Sequence, residues 1–155
     1  MGHSIIEIKK KEKNFGEIKA LNGVTFSVEE GIIFGMLGPN GAGKTTTIET
    51  LTGLNNRDGG SINVLGFDPA SSLKEIQKRI GVQLQSPSLF PRLKVFEILN
   101  LFASFYQNPL PVQEVLQQIG LKHKRNQWVK NLSGGQKHRL AVGLAMISNG
   151  DLLFL

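Results

Sequence analysis

Apolar and polar residues are distributed along the chain in stretches that switch period several times. Ser4 to Lys9 and Ala20 to Glu29 read as strands, the second carrying Leu21, Val24, Phe26 and Val28 among more polar neighbours. Ile32-Ile33-Phe34-Gly35-Met36-Leu37 is a continuous apolar run, predicting a strand covered on both faces. Thr46 to Thr52 places Ile48 and Leu51 at helical spacing, with Gly53 where a left-handed C-terminal cap belongs. Asn55 to Gly60 is turn chemistry, and Ser61 to Gly66 a short strand. Ser71 to Ile80 predicts a helix, and Gly81-Val82-Gln83-Leu84-Gln85 a short alternating strand.

Beyond Ser86 the pattern turns helical. Pro87 and Pro91 mark a loop, and Lys94 to Tyr106 then puts Val95, Ile98, Leu99, Phe102, Phe105 and Tyr106 on one stripe. Pro111 opens a further helix with Val112, Val115, Leu116 and Ile119 apolar and Gly120 closing it. Leu140, Leu144 and Ile147 form a third stripe, and Leu152-Leu153-Phe154-Leu155 reads as a strand. The pattern predicts an α/β fold with a helical lobe inserted into it, without internal repeats.

Composition narrows the class. The chain has 155 residues, 40% hydrophobic and 19% charged, enough for one domain with a real core. No apolar stretch reaches the roughly 18 residues that span a bilayer, and the N-terminus lacks the apolar segment of a secretory signal. The absence of cysteine excludes disulfides and thiolate metal sites and fits a reducing compartment. The net charge of +6 gathers in Lys9-Lys10-Lys11-Glu12-Lys13 and Lys122-His123-Lys124-Arg125. Neither run is interleaved with aromatics, so both read as solvated loops and strand ends, and no nucleic-acid partner is expected. Attraction to an anionic inner membrane leaflet is the functional alternative.

The chemistry enters at Gly38-Pro39-Asn40-Gly41-Ala42-Gly43-Lys44-Thr45, which satisfies G-x-x-x-x-G-K-[ST], the phosphate-binding loop of nucleoside triphosphatases. Glycines permit backbone conformations in which successive N–H groups turn inward around an anion. Lys44 supplies a compact positive charge to the outer phosphates, and the Thr45 hydroxyl is placed for Mg²⁺. The helix that follows points its positive end at the same phosphates. A strand before and a helix after are the context this motif requires, and both are predicted here.

A second motif, Leu132-Ser133-Gly134-Gly135-Gln136, combines a capping-box pair, Ser133 and Gln136, with a glycine turn feeding a helix. Alone it reads as an ordinary helix cap. Downstream of a phosphate loop it resembles the signature of the ATP-binding cassette (ABC) family, the nucleotide-driven domains of ABC transporters. The resemblance covers about Ile5 to Leu155. It implies a P-loop NTPase core with an N-terminal antiparallel β subdomain and an inserted α-helical subdomain, incomplete at the C-terminus. The expected divisions of this partial cassette, residues 1–155, are a β subdomain and phosphate-loop core over 5–85, a helical subdomain over 86–138 and a return to the core over 139–155.

Residue by residue, the resemblance implies ATP held by Gly38 to Thr46 and by Ser133, Gly134, Gly135 and Gln136. Phe15 falls where the family stacks an aromatic on adenine, usually Tyr; apolar surface packing is the other reading. Gln85 matches the family glutamine that reaches Mg²⁺ and the attacking water, so Lys44 and Gln85 are the candidate catalytic residues and Thr45 and Gln85 the metal ligands. Gln83 competes for that role on the same strand face, and the Pro-containing loop that follows favours Gln85. The implied partners are transmembrane permease subunits and a second cassette in a head-to-tail dimer, each γ-phosphate lying between two positive helix ends. Its loss on hydrolysis lets the dimer part. The implied location is cytoplasmic, peripheral on the inner face of the cell membrane.

Gly150 to Leu155 looks like the family's Walker B strand without the Asp for Mg²⁺ and the adjacent Glu that should follow. The family's later histidine has no counterpart in His123 or His138. The expectation is therefore an ATPase parent of which these residues bind ATP at best, with weak stability and a tendency to associate. Wording such as Val64-Leu65-Gly66-Phe67-Asp68-Pro69 resembles cassettes of bacterial drug or antibiotic exporters, so export is the expected direction. Chromosome-maintenance ATPases need a long coiled coil for which the interval from Gln85 to Leu132 leaves no room. A soluble tandem-cassette translation factor and a non-catalytic nucleotide sensor are the remaining alternatives.

Overall fold

Strand β1 (Ser4–Phe15) is the centre of a three-stranded antiparallel sheet, flanked by β2 (Ile18–Glu29) and β3 (Gly59–Val64). The computed structural model describes residues 3–15, 18–56, 58–83 and 89–155, with backbone alone for 14–15 and 18–22. The chain forms two units, Met1–Gln77 and Lys78–Leu155.

In the first unit the register stacks apolar side chains across the strands. Ile6 lies opposite Val28 and Val64, and Ile8 opposite Phe26 and Ile62. Ile6, Ile8, Val28, Ile62 and Val64 are buried, each stabilising by roughly 1.5–3 kcal/mol. Helices α1 (Lys44–Leu51) and α2 (Pro69–Gln77, kinked at Ser72) bury Leu51 and Ile76. Helix α1 ends as its sequence predicts: Gly53 is left-handed at φ 76°, its N–H donates to Thr50 O, and Leu54 N–H donates to Glu49 O. This is the paired bonding of a Schellman cap.

Two expectations are overturned in this unit. The apolar run over 32–37 is not a strand: Ile33 and Leu37 are 103% and 96% exposed. Apolar content favours burial, but a strand also needs a neighbour for its N–H and C=O groups, and no described strand pairs with this run. Phe34 stacks on Phe26 with ring centroids 5.2 Å apart.

The basic run after Ile8 is the second correction. It lies inside β1, and one of its lysines is buried. From Ile8 to Lys11 three steps on β1 match two on β2, and from Lys9 to Glu12 three match two on β3. The extra residue is a bulge at Lys10, whose φ is 47° and whose N–H donates to Thr25 Oγ1 at 2.9 Å. The bulge shifts the alternation by one, so Lys11 points inward and is fully buried. Lys9 does behave as a solvated charge, pairing with Glu7 at 3.4 Å, whereas Lys13 pairs with Asp58 at 3.4 Å with most of its side chain covered.

The second unit is a helical cluster beside a short parallel ladder. Helices α3 (Val95–Ala103), α4 (Val112–Gln118) and α5 (Gly134–Met146) enclose a core that includes Ile98, Leu99, Leu116, Leu140 and Ile147. The predicted stripe is buried through Leu99, but α3 stops at Ala103 and leaves Phe105 68% exposed, edge-on to Phe102. The Glu97 carboxylate accepts the Lys94 N–H at 2.7 Å and fixes the start of α3. β4 (Ile80–Val82) pairs in parallel with β5 (Leu152–Phe154), and Gln83 N–H extends the ladder to Phe154 O at 2.8 Å. Arg79 clamps the entry of this ladder, its Nε 2.6 Å from Asp151 Oδ2.

Candidate functional site

The phosphate loop lies in the first unit and feeds α1. Gly41 and Gly43 take φ of 84° and 83°, backbone that side chains rarely adopt, and Gly43 occupies the N-cap. No side chain caps α1, and its first turn holds no acidic residue. The positive end of the helix is thus left open to a ligand. Lys44 folds back over the loop, with Nζ 2.6 Å from Gly38 O and 2.8 Å from Pro39 O. Ala42 N–H closes on Pro39 O at 3.2 Å. An ammonium resting on two carbonyls is held in place yet exchangeable, since phosphate oxygens are better acceptors for it. Asn40 and Thr45 are exposed at the same end, and Thr46 is half-buried.

The other face of α1 is anchored by its threonines. Thr47 and Thr50 are buried, and their hydroxyls donate back to Gly43 O and Thr46 O at 2.8 and 2.7 Å. Lys11 meets the same turn, its Nζ 3.4 Å from Thr46 O. Sequence reasoning missed Lys11, because a charge run predicts solvent and the glycine that accommodates the bulge, Gly60, lies on a different strand, far away in sequence. Burial, with a smaller contribution from Lys13, lowers its pKa from 10.5 to about 8.

The glycine turn of the second motif lies in the second unit, as the predicted cap. Ser133 Oγ accepts Gln136 N–H at 3.3 Å, and Gln136 Oε1 accepts Ser133 N–H at 3.0 Å. Ser133, Gly134 and Gly135 are exposed at the N-terminus of α5. A Cβ added at Gly134 or Gly135 would meet nothing within 4 Å. Neither glycine is required by the packing of this unit, although each weakens a helix by about 1 kcal/mol relative to Ala.

Gln85 lies outside the described residues. Phe15 ends β1 opposite Ile18, and its side chain is likewise outside what is described. Gln83 caps the parallel ladder, its Nε2 3.4 Å from His138 Nδ1 on α5. Among the described residues no three His, Asp or Glu cluster as a metal site, and no helix is long and apolar enough to cross a membrane.

An α/β protein with a phosphate-loop motif feeding its first helix is the class that this sequence and fold define. The family model for ABC transporters matches residues 21–155, and the chain belongs to that family. It is 36% identical over 155 residues to the Nod factor export ATP-binding protein I of Burkholderia lata, covering 97% of this chain and 51% of that protein. It is 31% identical over 156 residues to the linearmycin resistance ATP-binding protein LnrL of Bacillus subtilis, covering 97% and 50%. The chain therefore spans about half the length of the curated relatives it matches. Among solved structures, the ATP-binding subunit of an ABC transporter superposes with a TM-score of 0.84 at 26% identity, over 96% of this chain and 64% of that one. The ADP conformation of the ATP-binding cassette MJ1267 superposes at 0.77 and 29% identity, over 97% and 67%. The expected P-loop NTPase fold is borne out.

Proposed function

We propose that the protein is the ATP-binding subunit of an exporter, coupling ATP binding and hydrolysis to movement of a substrate across a membrane. The observation that carries this reading is the open N-terminus of α1 beneath the Gly38–Thr45 loop, with Lys44 parked on two carbonyls that a triphosphate can replace. The export assignment draws on the relatives, which are named for Nod factor export and linearmycin resistance.

In this reading Gly41, Ala42, Gly43 and Lys44 present main-chain N–H groups to the phosphates, and Lys44 Nζ moves from Gly38 O and Pro39 O to the outer phosphates. Thr45 and Gln85 would hold Mg²⁺, which would supply charge neutralisation at the phosphate oxygens. The fit rests on donor chemistry: an exposed hydroxyl at the first turn and hard oxygen ligands suit this cation. Phe15 stacks on the base.

The exposed glycine turn at the α5 N-terminus supports a second cassette as partner. Ser133, Gly134, Gly135 and Gln136 would close over the phosphates held by the other copy, head to tail. Gly134 and Gly135 are glycines where the unit itself has room for side chains, which suits close approach of a ligand held by another surface. Transmembrane permease subunits would receive the motion, placing the protein on the inner face of the membrane.

Replacing Lys44 with Ala tests the reading. The variant should lose binding of a fluorescent ATP analogue by at least about tenfold, because a charge-assisted contact is worth roughly 1.5–3 kcal/mol. Unchanged affinity would remove the loop from the site.

A further inference from the structure

Outside the phosphate loop, Lys11 is a charged side chain buried against the first turn of α1. Its burial is not an accident of a flexible side chain, because the backbone is shaped to deliver it. The bulge at Lys10 inverts the alternation of β1 after Ile8. β3 passes that bulge only because residue 60 is glycine: its φ is 78°, and a Cβ there would lie 2.4 Å from Lys10 O. Two special backbone positions thus converge to place an ammonium under the phosphate-binding helix, where an apolar side chain would cost less.

The charge has little to offset it. Among the described residues its hydrogen-bond partner is the Thr46 carbonyl at 3.4 Å, in the first turn of α1. On β1, Glu7 pairs with Lys9, Lys13 pairs with Asp58, and Glu12 lies beside Gly59. On α1, Lys44 is bound to loop carbonyls and Glu49 to Asn55. β3 carries no charged residue over Gly59–Val64, and on β2 Glu29 is opposite Ser4, at the far end; Lys19 is described in backbone only.

We propose that Lys11 is a positioning residue of the nucleotide site: from inside the fold it holds the first turn of α1 through Thr46 and lends that turn its positive charge, so that phosphate binding and Lys11 protonation reinforce one another. This rests on the phosphate-loop reading above. A polyanion at the N-terminus of α1 favours the charged ammonium, and by reciprocity the charged ammonium favours the polyanion. Burial leaves Lys11 able to lose its proton at about pH 8 in the free protein. Binding above that pH therefore takes up a proton, and affinity falls as pH rises. The terminal phosphate ionises lower, near about pH 6, and leaves this window clear.

The test is titration calorimetry of Mg-ATP into wild type and Lys11→Met, in two buffers of different ionisation enthalpy, from about pH 7.5 to about pH 9.5. Wild type should lose affinity about three- to tenfold across that range, with proton uptake visible in the buffer comparison. Lys11→Met, an apolar side chain of similar length, should bind more weakly than wild type at about pH 7.5 and show neither the slope nor the uptake. A Lys11→Met variant that keeps the wild-type affinity and slope overturns the inference, as does a wild type whose affinity is flat. Lys44→Ala separates the two readings: loss there with a flat Lys11 profile removes only Lys11, whereas a wild type that binds no ATP removes both.

Discussion

Lys11 and Gly60 show how much one residue of extra chain can change. The bulge turns a solvent-facing lysine into a buried one, and the cost should be measurable in stability. The unfolded chain keeps the Lys11 proton up to its ordinary value of 10.5, whereas the folded chain releases it at about 8. Between those values the unfolded state binds more protons, so stability rises with pH, by about 1–3 kcal/mol in all. Melting temperature followed from about pH 7.5 to about pH 10.5 should climb in wild type and stay flatter in Lys11→Met, which begins higher. Gly60→Ala should act in the other direction. Its Cβ would lie 2.4 Å from one main-chain oxygen and 2.5 Å from another, with φ left-handed. A loss of about 2 kcal/mol or more in denaturant unfolding is expected; a neutral result would mean the bulge relaxes freely. The same position explains the misreading of the sequence: four lysines in five residues signal solvent, and nothing local announces the bulge, because the glycine that accommodates it is on β3, distant in sequence.

At the scale of elements, what sequence made legible was whatever local chemistry determines. The caps are examples. Ser133 and Gln136 bond reciprocally as their spacing predicts, and Gly53 closes α1 in the left-handed form. The loop glycines and Lys44 also stand where the motif puts them. The helical stripes through Val95, Ile98 and Leu99 and through Leu140 and Leu144 are buried as their period requires. The run over 32–37 was not legible, because a strand is a relation between two segments and apolar content reports only one of them. Helix α5 separates the local from the relational most cleanly. Ala at both Gly134 and Gly135 should leave the fold intact and raise its stability by about 1–2 kcal/mol, since α5 is helical there and the added methyls meet no atom. If a second cassette closes on this turn, the same variant should weaken ATP-dependent dimerisation, read by analytical ultracentrifugation, while leaving ATP binding to the phosphate loop unchanged. Dimerisation unaffected by both methyls would argue that the turn is a helix cap and nothing more.

For the whole molecule the apolar surface of the first unit is decisive. Ile32, Ile33, Phe34 and Leu37 are 53%, 103%, 47% and 96% exposed within six residues. Single exposed apolar side chains are ordinary, but a contiguous run that no described strand pairs with offers both apolar contact and backbone groups for pairing. Such a segment pairs with whatever strand it meets, including its own copy in another molecule. Light scattering of the 155-residue chain should therefore show mass rising with protein concentration. Replacing Ile33 by Lys should suppress that rise, since a charge on an exposed edge opposes pairing and the side chain has no contact to lose. The net charge of +6 works in the same direction but at longer range, so raising salt should strengthen association in wild type. Nucleotide supplies the control. If ATP binds through Gly38 to Thr46 as proposed, it sits immediately after the run and should reduce non-specific association. A wild-type chain that stays monomeric at high concentration and high salt would mean that the run is covered in solution by the chain itself.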